Sequence, residues 1–177
     1  MILKYLNFTI IILSALLIVI FSCTSRKEAK KNNQEKIFEI EIEYKILKDD
    51  IFQVFYIDQD SKEKFSEEKM ISKKINKSQK TNSISFNLPK EVIPKKIRID
   101  LGENKCQEEI TINQIKLKYS GNEIIVKEKY IPHFFVMNSF LKYDPSSGEF
   151  RSISINNRYD PFIISSALLN QKIKLEL

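Results

Sequence analysis

The sequence predicts an all-β fold, an antiparallel β-sandwich, and three observations carry that expectation. From Ile37 onward, apolar and polar residues alternate with period two in short segments, the pattern of strands with one buried face. Turn-forming residues separate those segments at Asp58-Gln59-Asp60-Ser61, Asn82, Leu88-Pro89, Gly102-Glu103-Asn104 and Ser120-Gly121-Asn122. Helical periodicity is almost absent, which favours packed antiparallel sheets over a parallel sheet with crossover helices.

The elements follow in order. Phe38-Glu39-Ile40-Glu41-Ile42-Glu43-Tyr44 alternates apolar and acidic side chains, and 51–57 is a denser strand closed by the turn at Asp58. Further strands are expected at 70–75, 83–88, 96–101, 109–118 and 122–126. Ile84, Phe86 and Leu88 share one face, and Pro89, which cannot donate to a ladder, ends the strand. Ile97, Ile99 and Leu101 form a second inward stripe with Lys96, Arg98 and Asp100 opposite. Arg98 and Asp100 are then either exposed charges on an outward face or the flanks of a ligand groove. Residues 129–143 are the most aromatic stretch after the N-terminal region, followed by a turn at 144–148 and a strand at 150–155. A second turn at 158–162, a short apolar run and a terminal strand at 172–177 complete the expectation. Tyr130, His133, Tyr143 and Tyr159 either complete the core or form a platform on which sugar rings stack.

With 177 residues, the chain accommodates one domain or one domain with a small appendage. Only 3 Gly and 5 Pro exclude collagen-like or Pro/Gly-rich disordered material, and 12 Phe and 7 Tyr can fill a core. A single His rules out a multi-His metal site, and any nucleophilic mechanism that needs an imidazole would run through His133 alone. The charge balance is 29 Lys+Arg against 23 Asp+Glu, net +6, mostly Lys diluted by Glu along the chain. That reads as a solvated surface of mixed sign or as a basic binding face. For such a face, envelope polysaccharide or lipid headgroups stand ahead of nucleic acid, which is not expected as a partner.

The N-terminus places the chain. Lys4 precedes an apolar run from Phe8 to Phe21, which ends at Ile20-Phe21-Ser22-Cys23 and turns abruptly polar. On these residues the segment resembles a bacterial lipoprotein signal with its lipobox. The resemblance implies cleavage after residue 22, lipidation of Cys23, and attachment in the cell envelope outside the cytoplasm, periplasmic or surface-facing. An uncleaved single-span anchor and plain secretion remain as other readings, and both also put the body of the chain outside the cytoplasm. Acylation of Cys23 leaves Cys106 single, expected as a half-buried thiol near a turn or as a dimer bridge. The domain reading is a signal peptide at 1–22, acylated Cys and flexible tether at 23–36, and a sandwich at 37–177.

A second resemblance rests on the order of segments within 37–118. It runs through Asp50-x-Phe52-Gln53-x-Phe55-Tyr56, then Phe65 and Ile84-Ser85-Phe86-Asn87-Leu88-Pro89. Ile97-Arg98-Ile99-Asp100-Leu101-Gly102 and Ile112-Asn113-Gln114-Ile115-Lys116-Leu117 complete it. The order is similar to that of the galactose-binding-like jelly-roll domains of bacterial envelope and polysaccharide-associated proteins. It implies a jelly-roll sandwich associated with glycan.

Motifs of catalysis are absent: no P-loop, no G-x-G-x-x-G, no G-x-S-x-G and no HExxH. Adjacent carboxylates such as Asp49-Asp50 and Glu108-Glu109 point to opposite strand faces and read as solvated charges. Asp58-Gln59-Asp60 offers oxygen ligands to calcium but lacks the Gly and distal Glu of a known loop. No cofactor and no metal are expected. The functional expectation is a membrane-anchored extracytoplasmic lipoprotein with a non-catalytic binding module for envelope glycan. The alternative is a structural or assembly lipoprotein that engages an envelope protein through a sheet edge. A lipid-anchored glycosidase is the third reading, and it requires two facing carboxyls about 5–10 Å apart.

Overall fold

A computed structural model describes residues 36–59, 64–107 and 109–177. The segment read as a signal peptide, Cys23, all but the last residue of the tether, and Asp60 and Glu108 lie outside these residues. The chain divides after Asn33, and all described residues fall in the second unit, Gln34–Leu177. Among the described residues the core side chains come from 38–173, so this unit carries a hydrophobic core of its own.

The strands are β1 (Glu39–Ile46), β2 (Asp50–Ile57), β3 (Met70–Ile75), β4 (Ser78–Asn87), β5 (Lys96–Leu101) and β6 (Ile110–Tyr119). They are followed by β7 (Asn122–Lys127), β8 (Phe135–Met137), β9 (Leu141–Asp144), β10 (Glu149–Ser152) and β11 (Phe162–Ser165). Short helices are α1 (Ile131–Phe134) and α2 (Ala167–Glu176), with single 3₁₀ turns at Glu67–Lys69 and Glu128–Tyr130. One sheet has the order β4-β1-β6-β10-β9, with β7 also paired to β6; the other is β3-β2-β5-β11-β8. All pairings are antiparallel. The two sheets pack face to face as a sandwich, with Phe38, Ile40, Ile42, Phe86, Ile115 and Leu117 from one meeting Phe52, Val54, Ile97, Ile99 and Leu101 from the other. Among the described residues no helix is long and apolar enough to cross a membrane.

The central pair β1 and β6 shows how the sequence dictates its own register. Glu39 and Glu41 on the outer face of β1 stand opposite Lys118 and Lys116 of β6, and Glu43 stands opposite Gln114. Lys118 Nζ donates to Glu41 Oε2 at 2.6 Å, and Gln114 Nε2 donates to Glu43 Oε1 at 2.6 Å. Opposite charges directly across a ladder stabilise the pairing, and a one-residue slip would put them in the core. On β6 the inward set changes phase, since Ile110 and Ile112 have one parity and Ile115, Leu117 and Tyr119 the other. A β-bulge absorbs the change: Glu43 pairs Gln114 while Tyr44 pairs Ile112, leaving Asn113 extra.

At the end of β6 the chain reverses through Ser120 and Gly121, both at positive φ, between the paired Tyr119 and Asn122. This is the two-residue hairpin whose twist matches the flanking strands. Expected bounds hold without change at 70–75 and 96–101, whereas the strand expected at 83–88 runs over Ser78–Asn87 and that expected at 150–155 over Glu149–Ser152. The terminal segment differs. Residues 172–177, expected as a strand, belong instead to α2. Ser166 Oγ accepts the Leu169 N–H at the helix start, and Leu169 and Ile173, four apart, bury one helical face. The period-two reading of Ile173, Leu175 and Leu177 loses because no strand lies alongside, while a capped helix buries Leu169 and Ile173 against the sandwich.

Strand directions give the sandwich two poles. Lys36 enters at the near pole, where its carbonyl accepts the Glu91 N–H at 2.7 Å and Ile57 O accepts the Lys95 N–H at 2.7 Å. The 120–121 hairpin is also there, as is the end of α2, where Ile173 and Leu177 share a cleft with Asp58, Gln59 and Val92. The turns at 47–49, 76–77 and 102–107 make the far pole.

Two outcomes test this packing. Phe86 is fully buried, so Phe86→Ala should cost about 3–5 kcal/mol in denaturant unfolding of residues 34–177. A cost below about 1 kcal/mol would contradict its inward register. The Lys118 hydrogen bond holds the Glu41 carboxyl below its ordinary value against partial burial, with the charges of Lys118 and Lys116 adding to the lowering. A depressed carboxyl contributes stability above its unfolded pKa and loses it as pH falls through the folded one. Wild type should therefore lose up to about 1 kcal/mol more than Glu41→Gln between about pH 5 and pH 3, read by urea midpoints.

Candidate functional site

Arg98 and Asp100 project from the outer face of β5, as their parity requires. Arg98 Nε and Nη2 donate to Asp100 Oδ1 and Oδ2 at 2.6 and 2.7 Å, and Nη2 also donates to Asp160 Oδ1 at 2.8 Å. The register places Phe55 of β2 opposite Arg98 and Phe162 of β11 opposite Asp100. The guanidinium carbon lies 3.8 Å from the Phe162 ring centroid and 5.2 Å from that of Phe55. A planar cation held by a bidentate carboxylate and flanked by aromatic rings has few free donors left. Burial lifts the Asp100 carboxyl above its ordinary value, and Arg98 only partly counteracts this. Desolvation pulls Arg98 down, but Asp100 and Asp160 outweigh it and hold the guanidinium above its ordinary value. Asp100 is only 8% exposed, so the expected exposed charges are instead a mutually satisfied cluster. An acidic ligand here would have to displace Asp100 or Asp160.

The aromatic residues divide among separate surroundings. Tyr130 and His133 come together, both exposed, in an edge-to-face arrangement with ring centroids 6.4 Å apart, and Lys129 Nζ lies 4.9 Å from the Tyr130 centroid. Tyr143 is half-buried against Phe150, with centroids 5.0 Å apart, and burial, then Glu128 and Asp144, push its phenol up. Tyr159, also half-buried, is hydrogen-bonded with Asn104 O at 3.1 Å and Ser152 Oγ at 2.9 Å, and burial raises its phenol. Tyr143 and Tyr159 thus act as packing and anchoring groups, and only Tyr130 with His133 offers exposed rings side by side.

The far pole holds what the sequence reading passed over. Asp50, expected as a solvated charge, is 8% exposed. Its Oδ1 accepts N–H bonds from Ile51 at 2.8 Å, Glu103 at 2.7 Å and Asn104 at 3.1 Å. Gly102 makes this approach geometrically feasible: it has φ +111°, and a Cβ there would stand 2.2 Å from Asp50 Oδ2. Asp49 Oδ1 accepts the Lys77 N–H at 2.6 Å, and Asn104 Nδ2 donates to Asp49 O at 3.2 Å. The turns at 47–49, 76–77 and 102–107 are thereby stitched together. Between them opens a cavity of about 430 Å³ lined by Asp49, Asp50, Asn76, Glu103, Asn104 and Lys74, with Ile51 and Ile75.

Cys106, expected half-buried, is an exposed free thiol in the same loop, because its backbone is held outward by Asn104 Oδ1 and Lys48 Nζ. Among the described residues no group of three or more His, Cys, Asp or Glu side chains converges to hold a metal ion. The cavity is an open depression in which carboxylate, amide and ammonium groups, able to exchange hydrogen bonds with a polar ligand, stand around apolar surface from Ile51 and Ile75.

Comparison with known proteins finds no matching family model, no matching curated protein and no matching solved structure. The fold class is an antiparallel β-sandwich, and its candidate site is the far pole. Sequence reasoning missed Asp160, Phe55 and Phe162 around Arg98. The outward parity of the two rings was a signal, but their adjacency to Arg98 depends on pairings between distant segments.

The Arg98 cluster makes its own prediction. Arg98→Ala leaves Asp100 buried without its cation and should destabilise the domain by about 3 kcal/mol, the lower end of the range for breaking a buried pair. Replacing both partners, as Arg98→Met with Asp100→Leu, should recover most of that loss in the same urea titration.

Proposed function

We propose that the chain is a membrane-anchored lipoprotein of the cell envelope, attached outside the cytoplasm through lipid on Cys23, whose sandwich is a non-catalytic binding module for envelope glycan. The observation that carries this reading is the opposition of the two poles. The chain enters the sandwich at Lys36, beside Glu91, while the polar cavity between 49–51, 74–76 and 103–104 opens at the other end. Attachment ahead of Lys36 then leaves that cavity, at the pole opposite the point of entry, unobstructed by the tether. The apolar run ending at Ile20-Phe21-Ser22-Cys23 supports the anchor, and two or three acyl chains give stable attachment where one would be marginal.

A lining of carboxylate and amide groups suits a ligand rich in hydroxyls. Such sites are weak singly, since each polar contact must offset desolvation, and many anchored copies on a repeating polymer supply avidity. The resemblance of 37–118 to glycan-associated jelly-rolls supports the same ligand class. Because Arg98 is already paired with Asp100 and Asp160, the cavity at Asn76 and Glu103 is the better place for the glycan than the outer face of β5.

Metabolic labelling with a tagged fatty acid tests the anchor: wild type should be labelled and Cys23→Ala should remain an unlabelled precursor. Equal label on both would overturn it. Residues 34–177 should be retained on purified envelope polysaccharide, and Asn76→Ala or Glu103→Ala should weaken retention about five- to tenfold, the worth of one lost hydrogen bond. Tyr130→Ala should leave it unchanged. Absence of retention would reject the glycan reading.

A further inference from the structure

On one side of the sandwich the outermost strands are β3 in one sheet and β4 in the other. An outermost strand presents unpaired N–H and C=O groups that another strand can take. β4 is ten residues long, contains no proline and pairs only with β1. Which of its groups face outward can be worked out. Leu88 N–H donates to Phe38 O at 2.9 Å, so residues of that parity, with Phe86, turn their backbone groups toward β1. Antiparallel alternation turns those of Ser83, Ser85 and Asn87 to the free edge.

Two of these outward groups already have partners within the chain. Ser83 N–H donates to Asn82 Oδ1 at 2.9 Å, and Ser85 O accepts a bond from Lys73 Nζ at 2.6 Å. Lys73 is at an uncommon position for a lysine. Ile71, Lys73 and Ile75 of β3 stand opposite Val54, Phe52 and Asp50, and Val54 and Phe52 are fully buried. Alternation therefore puts Lys73 on the inward face, between two isoleucines. An ammonium cannot be left in the core, but a lysine stem can lie along apolar surface with its head at the rim. Lys73 does this across the open side between the sheets: its Nζ is 5.7 Å from the Phe86 ring centroid and ends on the Ser85 carbonyl of the facing strand. Lys74, the next residue, faces outward by the same alternation and has no such role.

We propose that Lys73 is the gatekeeper of this edge, and that the partner it holds off is the β4 edge of a second copy of this chain. A second β4 strand would need the Ser85 carbonyl and would have to displace the ammonium bonded to it or share the oxygen with it. Two copies meeting edge to edge would also bring two Lys73 ammonium groups to one seam, and like charges there oppose the pairing. The inference does not depend on the binding function proposed above. If copies do share a membrane plane, the guard matters more, because confinement raises their encounter concentration.

The test compares wild type with Lys73→Met, Lys73→Val and the control Lys74→Val by analytical ultracentrifugation. It uses the full chain in detergent micelles and residues 34–177 in buffer. Lys73→Met keeps an unbranched stem beside Phe86 and removes only the charge, so it separates loss of the guard from loss of packing. Wild type and Lys74→Val should remain monomeric, while Lys73→Met and Lys73→Val should self-associate with an association constant raised at least about tenfold, or 1.4 kcal/mol. Hydrogen exchange should then show new protection at the Ser85 and Asn87 amides. A monomeric Lys73→Met overturns the proposal, and so does self-association that leaves those β4 amides exchanging as in wild type.

Discussion

The register between β1 and β6 is the constraint on which the rest of the molecule depends. β1 places Ile40, Ile42, Tyr44 and Ile46 inward and Glu39, Glu41 and Glu43 outward, so only one phase of pairing keeps carboxylates out of the core. β6 answers with Lys116 and Lys118 outside and Ile115 and Leu117 inside. Net stabilisation from each partly exposed ion pair is small, about 0.5 kcal/mol. Their main effect is selective, because a slipped register would bury several unpaired charges, each costing several kcal/mol. The bulge at Asn113 belongs to the same arrangement, since without it Ile110 and Ile112 would turn to solvent.

With that pair in place, the strands it orients deliver their connections to two poles of different character. At the near pole backbone hydrogen bonds such as Glu91 to Lys36 and Lys95 to Ile57 close the chain over a cleft lined by Val92, Ile93, Ile173 and Leu177 together with polar side chains. At the far pole side chains do the organising. One oxygen of Asp50 collects three N–H groups, a way to order a loop that has no regular structure and would otherwise leave donors unmet. Asp50 and Arg98 are two buried-charge arrangements in one sheet: Asp50 Oδ1 is satisfied by three backbone donors while its buried Oδ2 has no hydrogen-bond partner, and Arg98 is satisfied by two carboxylates and two aromatic rings. The Arg98 charge is taken up within its cluster, whereas Asp50 lines the far-pole cavity together with the neighbouring carboxylates and amides.

Closure on the β3–β4 side has another logic. A sandwich, unlike a closed barrel, keeps edge strands, and each edge must be covered, shortened or obstructed. Here the outermost strands β8 and β9 are three and four residues long and β3 and β7 six, whereas β4 has ten. The long edge is the one that carries side-chain caps on its outward groups, with Lys73 reaching it from the opposing sheet. The sandwich is thereby sealed by the stem of a residue whose head group also occupies a pairing site.

The sequence by itself determined the strand-rich class, most strand bounds, the two inward stripes and the turns at 88–89 and 120–121. These depend on period-two alternation and local turn chemistry, which act between neighbours. It misjudged residues 172–177, where Ile173, Leu175 and Leu177 alternate like a strand but Ser166 caps a helix that buries Leu169 and Ile173. Alternation also showed that Arg98 and Asp100 face outward without showing what awaited them. Asp160 is 62 residues from Arg98 along the chain, and Asn104 is 54 from Asp50. Only the tertiary structure brought these together, because a strand's own pattern specifies which face a side chain takes but not which distant strand or loop will be laid against it.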